Sequence, residues 1–363
     1  MDKRIKILFT ISNFSTAGSG KVIYDLIKGL NKRRFDIEIA CGHDQGKFFK
    51  TVEQLGVPIH VFSTKTPYRP YSTLLFRILK ISRFYRKHQY DLVHSWQWSS
   101  DWTEALAAKL AGVKWMYTKK AMGYKARHWK LKSYLADFII TINDEMRDYF
   151  PKKKNQRLIP LGLDTTFYQP LTDGSKRPPG AVLNIVMVAN LVPVKGLETL
   201  VQALNLLPEQ DFILQVVGKC DNAYGKAMQQ LVRDLGLEKQ IDFVGTQLDV
   251  RPYLEQADVF VIPTLDEGRK EGMPMALVEA MSMGIPVLGS NITGVKFVLK
   301  DFDRLLFEPN NPRLLADKLF TFTQMSLTER EVLGKALRDY CKTHFSLETF
   351  VAAHEQVYTE LLA

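Results

Sequence analysis

The sequence predicts an α/β protein of two successive doubly wound units, and three observations carry that expectation. Short apolar runs alternate with helical patterns along almost the whole chain, as strands joined by crossover helices do. The alternation is interrupted once, by the charged, Pro/Gly/Ser-rich stretch from Gln169 to Gly180 with its Pro178-Pro179 pair. The 363 residues are also too many for one compact core and suit two.

In the first half the predicted strands are Ile5–Ile11, Ile37–Cys41, Ile59–Phe62, Leu92–His94, Trp115–Thr118, Phe138–Ile142 and Arg157–Pro160. Helical stretches such as Val22–Leu30, Leu74–Tyr85 and Trp102–Leu110 separate them. The alternation restarts at Leu183–Val188, Phe212–Val217, Ile241–Val244, Val259–Ile262, Pro286–Gly289 and Leu305–Phe307. The expected organisation is a first domain over 1–170, a linker over 171–182 and a second domain over 183–345. A helix in 346–363 is expected to pack back across the junction. Two such halves usually hold a ligand in the cleft between them.

Composition narrows the class. With 46% hydrophobic and 24% charged residues the chain reads as an ordinary soluble globular protein. No apolar run approaches the roughly 20 residues of a membrane-spanning helix. Lys3, Arg4 and Lys6 before Ile7-Leu8-Phe9 resemble the start of a secretion signal, but the apolar stretch is about half the needed length and reads as a buried strand. Cys41, Cys220 and Cys341 lie far apart and read as reduced thiols of a cytoplasmic protein. The net charge of +10 is unevenly spread. Residues 1–180 hold 32 Lys/Arg against 15 Asp/Glu and the remainder 17 against 24, balances of +17 and −7. Such asymmetry points to an anionic surface or ligand for the first half.

The first predicted strand runs into Thr16-Ala17-Gly18-Ser19-Gly20-Lys21 and then a helix near Val22. Glycines at such a turn let backbone N–H groups approach an anion, although a plain tight turn explains Gly18 and Gly20 equally well. A P-loop is excluded, because Ser15 and Val22 stand where it needs Gly and Ser/Thr, and Ile23 stands where a dinucleotide fingerprint needs its third glycine. In the second half, strand Val259–Ile262 is followed by a loop ending at Pro274 and a helix over Met275–Met283. That helix aims its N–H groups and positive dipole end out of the sheet, where a diphosphate fits. Glu271 precedes it and Glu279 lies two turns in. Read alone, Glu279 is as well explained by a surface salt bridge.

Together these residues resemble retaining glycosyltransferase family 4, whose signature has two glutamates eight positions apart followed by Ala-Met-x-x-Gly-x-Pro-Val, here Ala280 to Val287. Val188-Ala189-Asn190-Leu191 with Lys195-Gly196 resembles that family's phosphate-contacting loop, and Gly162-Leu163-Asp164 with Phe167 and Pro170 its hallmark at the end of the first domain. Asp91–His94 and Ala136–Ile140 match further strands. The resemblance implies a GT-B fold, two Rossmann-like domains facing each other across a cleft, and transfer of a sugar from a nucleotide sugar such as a UDP-sugar. Glu279 would hold the ribose and Glu271 the transferred sugar, with Gly272, Met273 and Leu277 beside the donor. Lys195 would neutralise the diphosphate, Gly18 and Gly20 would face it from the other domain, and Gly218 and Lys219 would meet the base. Asn190 stands where the family usually has Arg, and Lys120 where it tends to have His.

No cofactor and no metal site are expected: the seven histidines show no ligand spacing, and Asp301-Phe302-Asp303 reads as a turn. His94 either lines the cleft or is a satisfied core residue. The expected acceptor is a glycan or polyprenyl-pyrophosphate-linked glycan in surface polysaccharide synthesis. An anionic membrane surface is expected to meet the basic and aromatic segments Arg77–Lys87 and Lys119–Lys132, giving a cytoplasmic enzyme peripheral to the inner face. An ordinary solvated basic face is the alternative. The competing functions are a nucleotide-sugar epimerase of similar architecture and a non-enzymatic nucleic-acid binder, the latter without any recognisable binding module.

Overall fold

The computed structural model describes residues 3–15, 17–46, 48–124, 126–170, 182–207, 212–268 and 270–363. The linker stretch 171–181, Thr16, Lys125 and Arg269 therefore lie outside the described residues. The chain divides into two compact units, residues 1–162 with 347–363, and residues 163–346.

The first unit runs β1 (Ile5–Ile11), α1 (Ala17–Gly29), β2 (Phe35–Cys41), α2 (Phe49–Glu53) and β3 (Ile59–Val61). It continues through α3 (Leu74–His88), β4 (Leu92–Ser95), α4 (Thr103–Ala111), β5 (Lys114–Lys119), α5 (Arg127–Leu135), β6 (Phe138–Thr141), α6 (Asp144–Asp148) and β7 (Gln156–Leu158). Its strands pair in the order β3-β2-β1-β4-β5-β6-β7, in parallel. A parallel sheet covered on both faces needs strands apolar on both sides, which is why they stood out as apolar runs. Leu8, Val93, Trp115, Tyr117 and Ile139 form one core with Ile78, Ile81 and Tyr85 of α3 and Ala105, Ala107 and Ala108 of α4.

The second unit runs β8 (Leu183–Val188), α7 (Leu197–Leu204), β9 (Phe212–Val217), α8 (Ala223–Asp234), β10 (Ile241–Gly245), α9 (Arg251–Leu254), β11 (Val259–Ile262) and α10 (Met275–Ser282). β12 (Val287–Ser290), α11 (Thr293–Val298), β13 (Leu306–Phe307), α12 (Pro312–Gln324) and α13 (Leu327–His344) complete it. The strand order is β10-β9-β8-β11-β12-β13, again parallel. Residues 163–170 belong here, eight positions earlier than the boundary read from composition. The reason is local: the Tyr168 carbonyl accepts hydrogen bonds from Ser282 Oγ at 2.6 Å and from Arg338 at 3.0 Å.

The helix expected in 346–363 is α14 (Leu347–Leu362), and it packs on α1 in the first unit. Tyr358 meets Phe9 and Phe35 edge-on at 6.3 and 5.9 Å, and its hydroxyl lies 2.7 Å from His94 Nδ1. His94 Nε2 lies 2.8 Å from Thr118 Oγ1. The ring is fully buried, and burial first, then His354 and Lys120, hold its pKa well below the usual range. His94 is thus a satisfied core residue. Asp303 opens a 3-10 turn between α11 and β13, in line with the turn expected there.

Candidate active site

In an open parallel sheet, ligands bind beyond the carboxyl ends of the strands where the direction of winding reverses. In the second unit that point falls between β8 and β11: the chain leaves β8 towards β9 and leaves β11 towards β12. The loop after β8 carries Asn190 and Lys195, and the loop after β11 carries Glu271, Gly272 and Met273. The Leu265 amide donates to the Val194 carbonyl at 2.8 Å, tying the two loops together. Lys195 Nζ makes a direct ion pair with Glu271 Oε1, each side chain about one-fifth exposed. The fold therefore brings together two residues 76 positions apart that the sequence singled out separately.

Backbone geometry explains two glycines here. Gly196 ends the 3-10 turn carrying Lys195 with φ 68°, and a Cβ on it would stand 2.0 Å from the Pro263 carbonyl oxygen. At Gly218, φ is 153° and a Cβ would stand 1.7 Å from the Ala189 carbonyl oxygen, so any side chain would push apart the ends of β8 and β9. Lys219 is exposed beside Asp221 at 3.7 Å. α10 starts after Pro274, and no side chain caps its N-terminus. Glu279 is partly exposed in its second turn, while Gly272 and Met273 are buried. Leu277 is fully buried and its amide donates to the Pro274 carbonyl at 3.2 Å.

In the first unit the winding reverses between β1 and β4. Ser12 Oγ donates to Gln97 Oε1 at 2.6 Å and joins the two loops that leave those strands. The expected loop preceding helix α1 is replaced by helix reaching back to Ala17, broken at Gly18 (φ 11°, ψ −120°). Gly18 is exposed with open space where a Cβ would lie. Gly20 is instead buried, with the Phe14 ring 3.0 Å and the Phe48 ring 3.3 Å from a Cβ placed there. Packing thus explains Gly20. Lys120 Nζ donates to the Trp96 carbonyl at 2.6 Å, beside the loop after β4.

Two lysines read as part of a basic surface are inside the protein. Lys119 and Lys132 are both fully buried. Lys119 Nζ lies 3.9 Å from the centre of the Trp129 ring and donates to the Ala121 carbonyl. Lys132 Nζ lies 4.9 Å from the Tyr117 ring and 5.3 Å from Trp129, and donates to the Ser99 carbonyl at 3.0 Å. Burial lowers both, Lys119 to about 7 with Lys132 adding to the effect, and Lys132 to about 8 despite the nearby Glu104. Aromatic faces and carbonyls replace water around each ammonium. Neither can meet a membrane.

The family model described as Glycosyltransferase Family 4 matches residues 16–167, and that described as Glycosyl transferases group 1 matches residues 174–339. The chain is of the family 4 glycosyltransferase type. Among relatives of this glycosyltransferase is the putative colanic acid biosynthesis glycosyltransferase WcaL of Escherichia coli K12, 30% identical over 51% of the chain, which spans about half of that relative's length, 46%. The UDP-Gal:alpha-D-GlcNAc-diphosphoundecaprenol alpha-1,3-galactosyltransferase of Escherichia coli is 25% identical over 92% of the chain and 91% of its own length. Among solved structures, Anabaena Alr3699/HepE in complex with UDP-glucose superposes with a TM-score of 0.81 at 18% identity, over 98% of this chain and 100% of that one. That likeness shows the GT-B fold. Nothing in these likenesses supports the epimerase or the nucleic-acid binder.

Proposed function

We propose that this glycosyltransferase moves a hexosyl group from a nucleoside-diphosphate sugar to a lipid-linked glycan, with retention and without a metal ion. The observation that carries the reading is the Lys195–Glu271 pair at the winding reversal of the second unit. An ammonium beside a carboxylate suits a sugar diphosphate: the lysine serves the phosphates, and the glutamate, released from the ion pair, accepts from sugar hydroxyls. Glu279 is assigned to the ribose, and Gly272 and Met273 to backbone contacts with the donor. Two likenesses support the choice of substrates: one relative is named for a UDP-sugar donor and a diphosphoundecaprenol acceptor, and one solved neighbour holds UDP-glucose.

In the proposed reaction the acceptor oxygen forms its bond to the anomeric carbon on the face from which the diphosphate departs. The C–O bond to the β-phosphate breaks, and that phosphate takes the acceptor proton. The protein's part is to align both substrates and to stabilise the growing phosphate charge through Lys195. Donor and acceptor incubated with the chelator-treated enzyme should give a product whose anomeric proton coupling matches that of the donor sugar. An inverted product overturns the stereochemical reading, and a chelator-treated enzyme that stays folded but needs added divalent cation for turnover overturns the metal-free one.

Among the described residues no helix is long and apolar enough to cross a membrane. We infer that the enzyme acts at the cytoplasmic face by docking the surface of α3 and α5. Tyr71 just before α3, Phe76 on α3 and Tyr134 on α5 are 69%, 63% and 78% exposed, and Lys80 and Arg83 of α3 and Arg127 and Lys130 of α5 are exposed too. Rings at the headgroup boundary and cations against anionic lipid favour such docking. Sedimentation with anionic vesicles should be salt-sensitive and fall when Lys80, Arg83, Arg127 and Lys130 become Ser. Equal recovery with neutral vesicles would sink the idea.

A further inference from the structure

Away from the loops that carry the reaction, three elements of the first unit bring two imidazoles and a carboxylate together. The sheet register pairs Leu8 with Glu38 and Ala40 with His60, so alternation puts Glu38 and His60 on the face covered by α3. The last turn of α3 supplies His88, and Gln89 then turns the chain through a left-handed conformation (φ 53°, ψ 48°) to bring in Tyr90. Glu38 Oε2 lies 2.7 Å from His60 Nε2, 3.7 Å from His88 Nδ1 and 2.5 Å from the Tyr90 hydroxyl. Lys6 Nζ takes the other carboxylate oxygen at 2.8 Å. The Tyr90 hydroxyl is 3.4 Å from His60 Nε2, and the two imidazoles meet edge-on with centres 4.7 Å apart.

We propose that Glu38, His60 and His88 form a site for one divalent transition-metal ion of the zinc class, with solvent completing its coordination. The three ligand atoms lie within 4.8 Å of one another, and among the described residues this is the one His/Cys/Asp/Glu group that converges in this way. Zinc bonds of about 2.0–2.1 Å in a tetrahedron set ligand atoms about 3.3 Å apart, between the two distances to Glu38 Oε2 seen here. Two ring nitrogens with one carboxylate select zinc or its neighbours over magnesium or calcium, which demand oxygen shells. Both imidazoles are 24% exposed and Glu38 10%, so an ion enters from solvent onto a carboxylate already fixed. Lys6 holds the free carboxylate oxygen, as outer partners of metal ligands do, and the T-shaped Phe84 ring packs on His60 at 5.2 Å. The ligands come from the centre of β2, from edge strand β3 and from the end of α3, so the ion braces the sheet edge. It takes no part in sugar transfer.

The test uses the full chain after chelator treatment, titrated with Zn²⁺ against a chromophoric chelator, together with thermal unfolding. One ion per chain is expected, with a midpoint of unfolding that rises as Zn²⁺ is raised to about 100 times its dissociation constant. His60→Ala and His88→Ala should each weaken binding by at least about tenfold, whereas His88→Cys, which restores a zinc ligand, should recover it. Co²⁺ bound to the unmodified chain should show the visible absorption of a low-coordinate site, a readout independent of whether any variant folds. Absence of binding at about 100 µM Zn²⁺, or undiminished affinity in both alanine variants, overturns the proposal.

Discussion

Replacing Lys195 with alanine is expected to lower turnover about 10²–10³-fold, the scale for removing one preorganised stabiliser of developing charge. In the proposed reaction Asn190 would stand where the resembling family has a second cation, so the phosphate charge would fall more heavily on this one lysine. The substitution also strips Glu271 of the partner seen in the structure. Donor affinity should therefore fall less than turnover, since in the proposed role the lysine would act most strongly as the leaving group departs. Initial rates with saturating donor, compared with calorimetric binding of UDP, separate the two effects. A variant that turns over at nearly the normal rate would move the role to another cation, with Lys120 the first to examine. The converse change, Asn190→Arg, should be tolerated and should tighten nucleoside diphosphate binding.

Lys119→Met is expected to stabilise the protein, and by an amount that depends on pH. Lys119 titrates near 7 in the folded state instead of its ordinary 10.5, because burial and the neighbouring Lys132 disfavour the ammonium. Between those two values the unfolded chain binds more protons than the folded one, so this group makes stability rise as pH rises. Its penalty is fully present below pH 7 and vanishes towards pH 10.5. At about 1.4 kcal/mol per unit, methionine should add about 3–5 kcal/mol at pH 6, less what the Trp129 stacking and the Ala121 hydrogen bond return to the charged form. Urea unfolding of both proteins at pH 6 and pH 9 reads the difference directly. An identical gain at both pH values would show that Lys119 is not buried as a strained cation.

The fold was legible because parallel strands covered on both faces must be apolar throughout, and β1, β8, β9 and β11 match their expected limits residue for residue. Boundaries set by single backbone conformations were not legible. α3 runs on to His88, past the expected Tyr85, until Gln89 turns left-handed, and α1 reaches back through Gly18. Glu271 and Lys195 were each visible as chemistry, but their contact depends on which strands become neighbours. The Lys119–Lys132 segment misled for a related reason. Its charges and rings look like an interfacial stripe, yet Trp129 and Tyr117 fold over the ammonium groups and take two of them indoors. Glu38, His60 and His88 left no spacing to read, since each comes from a different element.

The first unit is closed by residues 347–363, so the chain passes from it into the second unit and back again. A ribosome therefore releases all of the second unit before it releases α14. Until then Phe9 and Phe35 lack Tyr358, and His94 lacks one of its two hydrogen-bond partners. The second unit, continuous in sequence, can finish folding while the first still waits with an apolar flank open to water. For that interval the nascent chain is half mature, and the open flank of the earlier-made half is the surface a chaperone would need to shield.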